Sequence, residues 1–336
     1  MSLLFDKHRL IVSPALAPAQ LSDGDEFDGA QASAERVLTI GLVNNMPDTA
    51  LEATERQFMR LLKAAAGRNV IRFHCFSLPS VRRSAPALRR VAQQYTDIDD
   101  LGRLPIDGLI VTGAEPIATT LQQEPLWNDL TAIIDWAKAN TRSTIWSCLA
   151  AHAAVLHLDG IERQPLDAKC SGVYDCVATK GHWLTEGLPS PIKISHSRLN
   201  GLRESDLLAR GYQLLTGSAS AGVDIFAKDF QSQFVFFQGH PEYDALSLQR
   251  EYLRDIARYL AGERDSYPGL PARYFDDETE RRLAGFEARA RVERRPALAG
   301  EIAHLRLRAD LAAGSAASMI FRNWLGYLSA KAAAPR

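Results

Sequence analysis

Residues 144–152 read TIWSCLAAH. An apolar run suited to a buried strand leads into Cys148, and small residues follow at once. A thiol at a sharp strand-to-helix turn is lifted out of the sheet, as at a nucleophile elbow, and Ala150 and Ala151 leave room for the turn. The N-terminus of the helix that follows favours negative charge, which suits both a thiolate and a developing oxyanion. That pattern predicts an activated nucleophile. The competing reading is a core cysteine, the usual fate of a free one.

A second group shifts the balance. The apolar run FVFFQ ends in GHPEYD, residues 239–244. His240 therefore belongs at the end of a strand, Pro241 stiffens the turn, and Glu242 is close enough in sequence to hold one imidazole nitrogen. Base and orienter in one turn, with a cysteine elsewhere, have the composition of a Cys148–His240–Glu242 triad.

Such groups meet only if the intervening elements bring strand ends to one edge. VLTIGLVNN (37–45), VIRFHCFSL (70–78), DGLIVTGA (107–114) and STIWSC (143–148) read as strands. MPDTALEATERQFMRLLKAAAG and EPLWNDLTAIIDWAKAN read as helices, as does LAAHAAVLHLDG. Leu51, Thr54, Phe58, Leu61, Leu62 and Ala65 share one helical face, Thr49 and Glu52 have capping-box spacing, and Gly67 closes the helix. Strands alternating with helices predict an α/β fold, a mostly parallel sheet flanked by helices. Ligands bind such a sheet beyond the carboxyl ends of its strands, where Cys148 and His240 are placed. Thr112 and Gly113 end another strand there, and a glycine lets the Gly113 N–H approach a ligand closely. Past residue 170 the texture changes to short strands such as VYDCVAT, KISHSR, YQLLTG and VDIFAK, separated by turns.

The organisation expected is an N-terminal arm or linker over 1–36, rich in Pro, Ala, Gly and acids, a main domain over 37–265, and a helical C-terminal extension over 266–336. The 336 residues carry a formal net charge of -1, so no basic field invites nucleic acid. No apolar run reaches the roughly 20 residues of a membrane-spanning helix, and the N-terminus lacks a signal-peptide layout, which predicts a cytoplasmic protein. The four cysteines form no CxxC, so free thiols and no metal site are expected. Cys75, His152, Trp146 and Trp324 read as core, and Cys170 and Cys176 as flanking a turn.

Taken in order, N-N-M-P, E-A-T-E-R-Q-F-M-R-L-L, D-G-L-I-V-T-G-A-E-P, E-P-L-W, L-H-L-D-G-I, S-H-S-R, G-H-P-E-Y-D-A and R-N-W-L resemble the homoserine O-succinyltransferase (homoserine transacylase) family, from about residue 37 to 330. That family has a class I glutamine amidotransferase-like fold. The resemblance implies transfer of an acyl group from acyl-CoA to the Cys148 thiol and then to the hydroxyl of homoserine, in methionine biosynthesis. Acyl-CoA is a co-substrate, so no cofactor is expected, and the partners are small molecules, with a homodimer open. His240 would act as base, and Gly113 and Leu149 would offer oxyanion N–H groups. Arg198 and Arg254 match family arginines that hold the amino acid, a role that suits a guanidinium fork. On chemistry alone Arg198 reads equally well as a surface residue, and Arg254, on a helix, reads better as a solvated one.

The sequence departs from the family at three places. Leu149 stands where a Trp commonly follows the nucleophile. Asp48-Thr49-Ala50-Leu51 replaces a stretch that often carries a lysine. After T-G-A, a small Gly accompanies succinyl donors and a Glu acetyl donors, and here Ile117 occupies the place. The donor, succinyl or acetyl, is therefore open. So is the acceptor, because homoserine and serine differ by a methylene worth roughly 1–3 kcal/mol. Hydrolysis of glutamine amide on the same triad is a third reading.

Overall fold

The structure is a computed structural model that describes residues 9–12, 36–179, 181–303, 307 and 315–331. The arm expected over 1–36 thus lies, apart from Arg9–Val12 and Arg36, outside the described residues. The chain forms two compact units. The first comprises Met1–Trp146, Asp229–Phe234 and Ser318–Arg336, the second Ser147–Lys228 and Val235–Ala317.

The first unit is built on strands β1 (Arg9–Val12), β2 (Val37–Val43), β3 (Val70–Phe76), β4 (Gly108–Val111) and β5 (Ser143–Ser147), with helices α1 (Asp48–Ala65), α2 (Ala85–Gln94) and α3 (Trp127–Asn140) between them. β2 pairs in parallel with β3 and β4, β4 pairs in parallel with β5, and β1 adds an antiparallel edge to β3. The parallel βαβ expectation therefore holds here. β4 and β5 are buried along their whole length, as continuous apolar runs covered on both faces should be.

Helix α1 buries Leu51, Thr54, Phe58, Leu61, Leu62 and Ala65, the expected stripe. Gly67 follows its last turn at φ 58°, where a glycine is unstrained. The capping box does not form. Pro47 is the N-cap and makes no side-chain cap, so the helix opens at Asp48, one residue before Thr49. The prolyl ring presets that start without supplying an acceptor. The Asp48 carboxylate instead accepts the Ser84 N–H at 2.7 Å and an Arg83 N–H at 3.4 Å.

The second unit opens with α4 (Leu149–Asp159), which Gly160 terminates in the left-handed conformation. Antiparallel strands follow: β6 (Gln164–Ala178), β7 (Ile192–Gly201), then, after the short α5 (Glu204–Ala209), β8 (Gln213–Ser218) and β9 (Gly222–Asp229). β6 pairs with both β7 and β8, and β8 with β9. Cys170 and Cys176 both lie inside the continuous β6, so the turn expected between them is absent, and both thiols are free. β10 (Gln233–Phe237), most of it in this unit, leads into the GHPEYD turn and α6 (Ser247–Leu260). α7 (Asp277–Glu293) and α8 (Leu298–Ala303) pack on α6 through Tyr252, Ile256, Tyr259, Leu283, Phe286 and Leu298.

The described residues of the tail are mainly helical, and α9 (Ser315–Lys331) returns from Ser318 onward to the first unit. There Trp324 is buried and donates to Ser143 Oγ at 2.9 Å. A Cβ on Gly108 would lie 2.7 Å from the Trp324 ring and 2.6 Å from Leu328. The bare backbone of β4 is what lets this helix approach.

Candidate active site

Cys148 is the N-cap of α4, with φ 54° and ψ -115°. A residue with a Cβ pays of order 1–3 kcal/mol to stay in such a conformation, and persists there only when its surroundings overdetermine it. They do. The Cys148 N–H donates to the Phe237 carbonyl at 2.7 Å, the Cys148 carbonyl accepts from His152 at 3.2 Å, and α4 is buried from Leu149 to Val155. His152, four residues on, belongs to the core and contacts Gln238 at 3.1 Å. The turn therefore leaves the thiol partly exposed beside first-turn N–H groups, among them that of Leu149, that a helix leaves without partners.

β10 ends one residue short of Gln238, and the chain turns into Gly239-His240. The His240 N–H donates to the Ser195 carbonyl at 2.7 Å, which fixes the backbone, and its Nδ1 meets Glu242 Oε1 at 2.8 Å. The imidazole also hydrogen-bonds the Cys148 thiol, and with Nδ1 held by Glu242 this bond falls to Nε2. Burial alone would push the His240 pKa down. The Glu242 carboxylate and the Cys148 sulfur outweigh it and hold His240 well above its ordinary value. Glu242 is itself buried, and its Oε2 has no hydrogen-bond partner among the described residues. Cys148, His240 and Glu242 are thus neighbours inside the second unit.

Tyr243 stacks on His240 with ring centroids 4.3 Å apart at 18°. Its hydroxyl donates to Glu251 on α6, which also accepts from Ser197 Oγ and lies 3.6 Å from Lys169 Nζ. Lys169 bridges onward to Asp255 at 2.9 Å, and Arg254 and Arg264 reach the same carboxylate at 3.0 and 3.5 Å. Burial works against ionisation of Asp255, but Lys169 and Arg254 prevail and lower its pKa. Arg254 is thus a partly exposed cation beside an acidic partner, one turn along α6 from Glu251.

Arg198 sits on β7 and is buried. Its guanidinium donates to the Asn200 carbonyl at 2.7 Å, to the Ala221 carbonyl, and to His196 Nδ1 at 3.4 Å. Three of its five N–H groups are thereby placed, leaving two for a ligand.

Thr112, Gly113 and Ile117 belong to the first unit. Thr112 closes the β2–β4 edge: its Oγ1 accepts the Asn45 N–H at 2.8 Å and its carbonyl accepts from Asn45 Nδ2 at 2.9 Å. Gly113 is buried, whereas the Ile117 side chain is 71% exposed. Arg83 anchors the loop after β2 by donating to the carbonyls of Asn44 and Met46.

Ser197, Tyr243 and Glu251 lie inside recognisable motifs that give them no role, and Lys169 and Arg83 lie in none. Ser197 and Tyr243 could have been found as the neighbours of Arg198 and Glu242. Lys169, in the polar stretch DAKC, carries no local signal.

The sequence profile described as homoserine O-succinyltransferase matches residues 25–334. A homoserine O-succinyltransferase of Bradyrhizobium japonicum is 62% identical over 330 residues, 98% of this chain and 99% of the relative. Another, of Rhodopseudomonas palustris, is 57% identical over 327 residues, covering 97% and 98%. Among solved structures, a glutamine amidotransferase of Thermotoga maritima aligns over 86% of this chain and 97% of its own, at 13% identity and a TM-score of 0.45.

Proposed function

Because the chain belongs to the homoserine O-succinyltransferase family and is therefore an acyltransferase, we propose that Cys148, His240 and Glu242 carry a two-step acyl transfer from acyl-CoA to L-homoserine. In the first step Cys148 Sγ bonds to the thioester carbonyl carbon. The carbon–sulfur bond to CoA breaks, and CoA leaves as a thiol with the proton that His240 held. In the second step the homoserine hydroxyl oxygen attacks the acyl-cysteine carbonyl, His240 Nε2 takes the hydroxyl proton, and the Cys148 thiolate departs. The product is an O-acylhomoserine, an intermediate suited to methionine biosynthesis in the cytoplasm. Exchange of one thioester for another suits sulfur, because the two leaving groups are alike.

The reading rests above all on one observation: a thiol at a strained elbow, hydrogen-bonded to an imidazole whose other nitrogen is held by a buried carboxylate. The N–H of Leu149 at the start of α4 supplies an oxyanion donor. For the amino acid, Arg198 offers its two unplaced N–H groups to the carboxylate, with Arg254 as a second cation. Succinyl is the proposed acyl group, because the relatives at 62% and 57% identity are homoserine O-succinyltransferases.

Intact-mass spectrometry after mixing with succinyl-CoA or acetyl-CoA tests this. A mass gain on wild type that is lost in Cys148→Ala supports the acyl-enzyme, and its size names the donor. No adduct with either donor sinks it. An acceptor panel of homoserine, serine and water then reads the second step.

A further inference from the structure

Outside the triad, three more donor-bearing side chains converge in the second unit: Cys176 on β6, His196 on β7 and Asp224 on β9, all buried. His196 Nε2 lies 3.3 Å from Asp224 Oδ1, within ion-pair distance, and neither atom makes a hydrogen bond among the described residues. The other carboxylate oxygen accepts from Thr216 Oγ1 at 2.7 Å. The Cys176 thiol hydrogen-bonds Asp224 as well, and burial together with that carboxylate pushes its pKa far up.

Three such donors could suggest a metal ion, but the far side of the imidazole argues otherwise. Arg198 Nε–H points at His196 Nδ1 from 3.4 Å, so Nδ1 must accept. The ring proton of the neutral imidazole is then on Nε2, aimed at Asp224. A metal on Nε2 would move that proton to Nδ1 and set one N–H against another beside a buried guanidinium. The contacts fit a row of guanidinium, neutral imidazole and carboxylate better. It balances two buried charges that would each be costly alone. The same pair abuts the catalytic turn, since a Cβ on Gly239 would lie 2.5 Å from Asp224 Oδ1 and 2.9 Å from His196 Nε2.

We propose that His196 and Asp224 are positioning residues that hold the Arg198 guanidinium in the orientation that receives the acceptor's carboxylate. This rests on the reading that Arg198 binds that carboxylate. Their chemical requirement is specific: position 196 must accept from Arg198 on one side and donate to Asp224 on the other. A glutamine can do both, an alanine neither.

The test is steady-state kinetics on His196→Ala, His196→Gln, Asp224→Asn and Arg198→Lys, with nitrogen-15 NMR of His196 and metal analysis of the full chain. In His196→Ala and Asp224→Asn, KM for homoserine is expected to rise about tenfold or more, the loss of an oriented charged hydrogen bond. KM for the acyl donor and the amplitude of acyl-enzyme formation stay near wild type, and His196→Gln recovers much of the acceptor KM. NMR should show the Nε2–H tautomer. An equal rise in both KM values, or a loss of thermal stability with acceptor KM unchanged, overturns the proposal. So does an Nδ1–H tautomer or one firmly held metal ion per chain. If Arg198→Lys leaves acceptor KM unchanged, the underlying reading of Arg198 fails. If Arg198→Lys raises it while His196→Ala does not, only the positioning role fails.

Discussion

Replacing Cys148 by glycine should stabilise the protein relative to replacing it by alanine, although both remove the thiol. Cys148 is held at φ 54° and ψ -115°, where any Cβ is crowded against the backbone. Alanine keeps the Cβ and hence a strain of about 1–3 kcal/mol, and glycine releases it. Against this stands the greater freedom of glycine in the unfolded chain, about 0.5–1 kcal/mol. The difference leaves Cys148→Gly more stable than Cys148→Ala by up to about 2.5 kcal/mol, the reverse of the usual order. With a urea slope of about 3 kcal/mol/M, the midpoints should separate by up to about 0.8 M. Equilibrium urea unfolding, followed by far-UV circular dichroism on both variants, reads this directly. Neither variant should take up an acyl group. If the alanine variant is the more stable by about 0.5–1 kcal/mol, the usual order, the elbow stores no strain, and the account of how the thiol is held out of the sheet is wrong.

His240→Ala should block turnover of any acyl-enzyme that forms, seen as an adduct that persists when homoserine is added; wild-type decay of the adduct would remove His240 from the role of base. Glu242→Gln removes the charge that outweighs burial at His240, so the limb of the kcat profile belonging to unprotonated His240 should move to lower pH. A limb that stays or moves up contradicts the assignment. The same raised pKa implies that His240 stabilises the fold fully below about pH 6.5, its unfolded value, and that this contribution is lost as pH rises through the folded value. Chemical denaturation across that range should show the decline in wild type and a weaker one in Glu242→Gln. Trp324→Ala empties a fully buried site and strands Ser143 Oγ, at an expected cost of about 3–5 kcal/mol in unfolding free energy. A loss under about 1 kcal/mol would mean that α9 is not part of the first unit's core.

Much of the site was legible because it is local. Base and orienter sit two residues apart in GHPEYD, and the thiol sits where an apolar run gives way to alanines. The sequence also placed β2, α1, β4 and β5 through runs and periodicities that a single element can express. It misplaced the start of α1, where a proline preset the first turn instead of a capping box, and it inferred a turn between Cys170 and Cys176 inside what is one long strand.

The sequence by itself determined which segments become strands and helices, and which residues end them. What only tertiary structure decided is who meets whom across long stretches of chain. Ser197, Lys169, Tyr243 and Glu251 come together from β6, β7, the turn and α6, and Arg198, His196 and Asp224 align across two strands. The physical reason is that periodicity is a property of neighbours along the chain. A buried charge is instead balanced by whichever groups strand pairing and helix packing deliver, and no local pattern records that meeting.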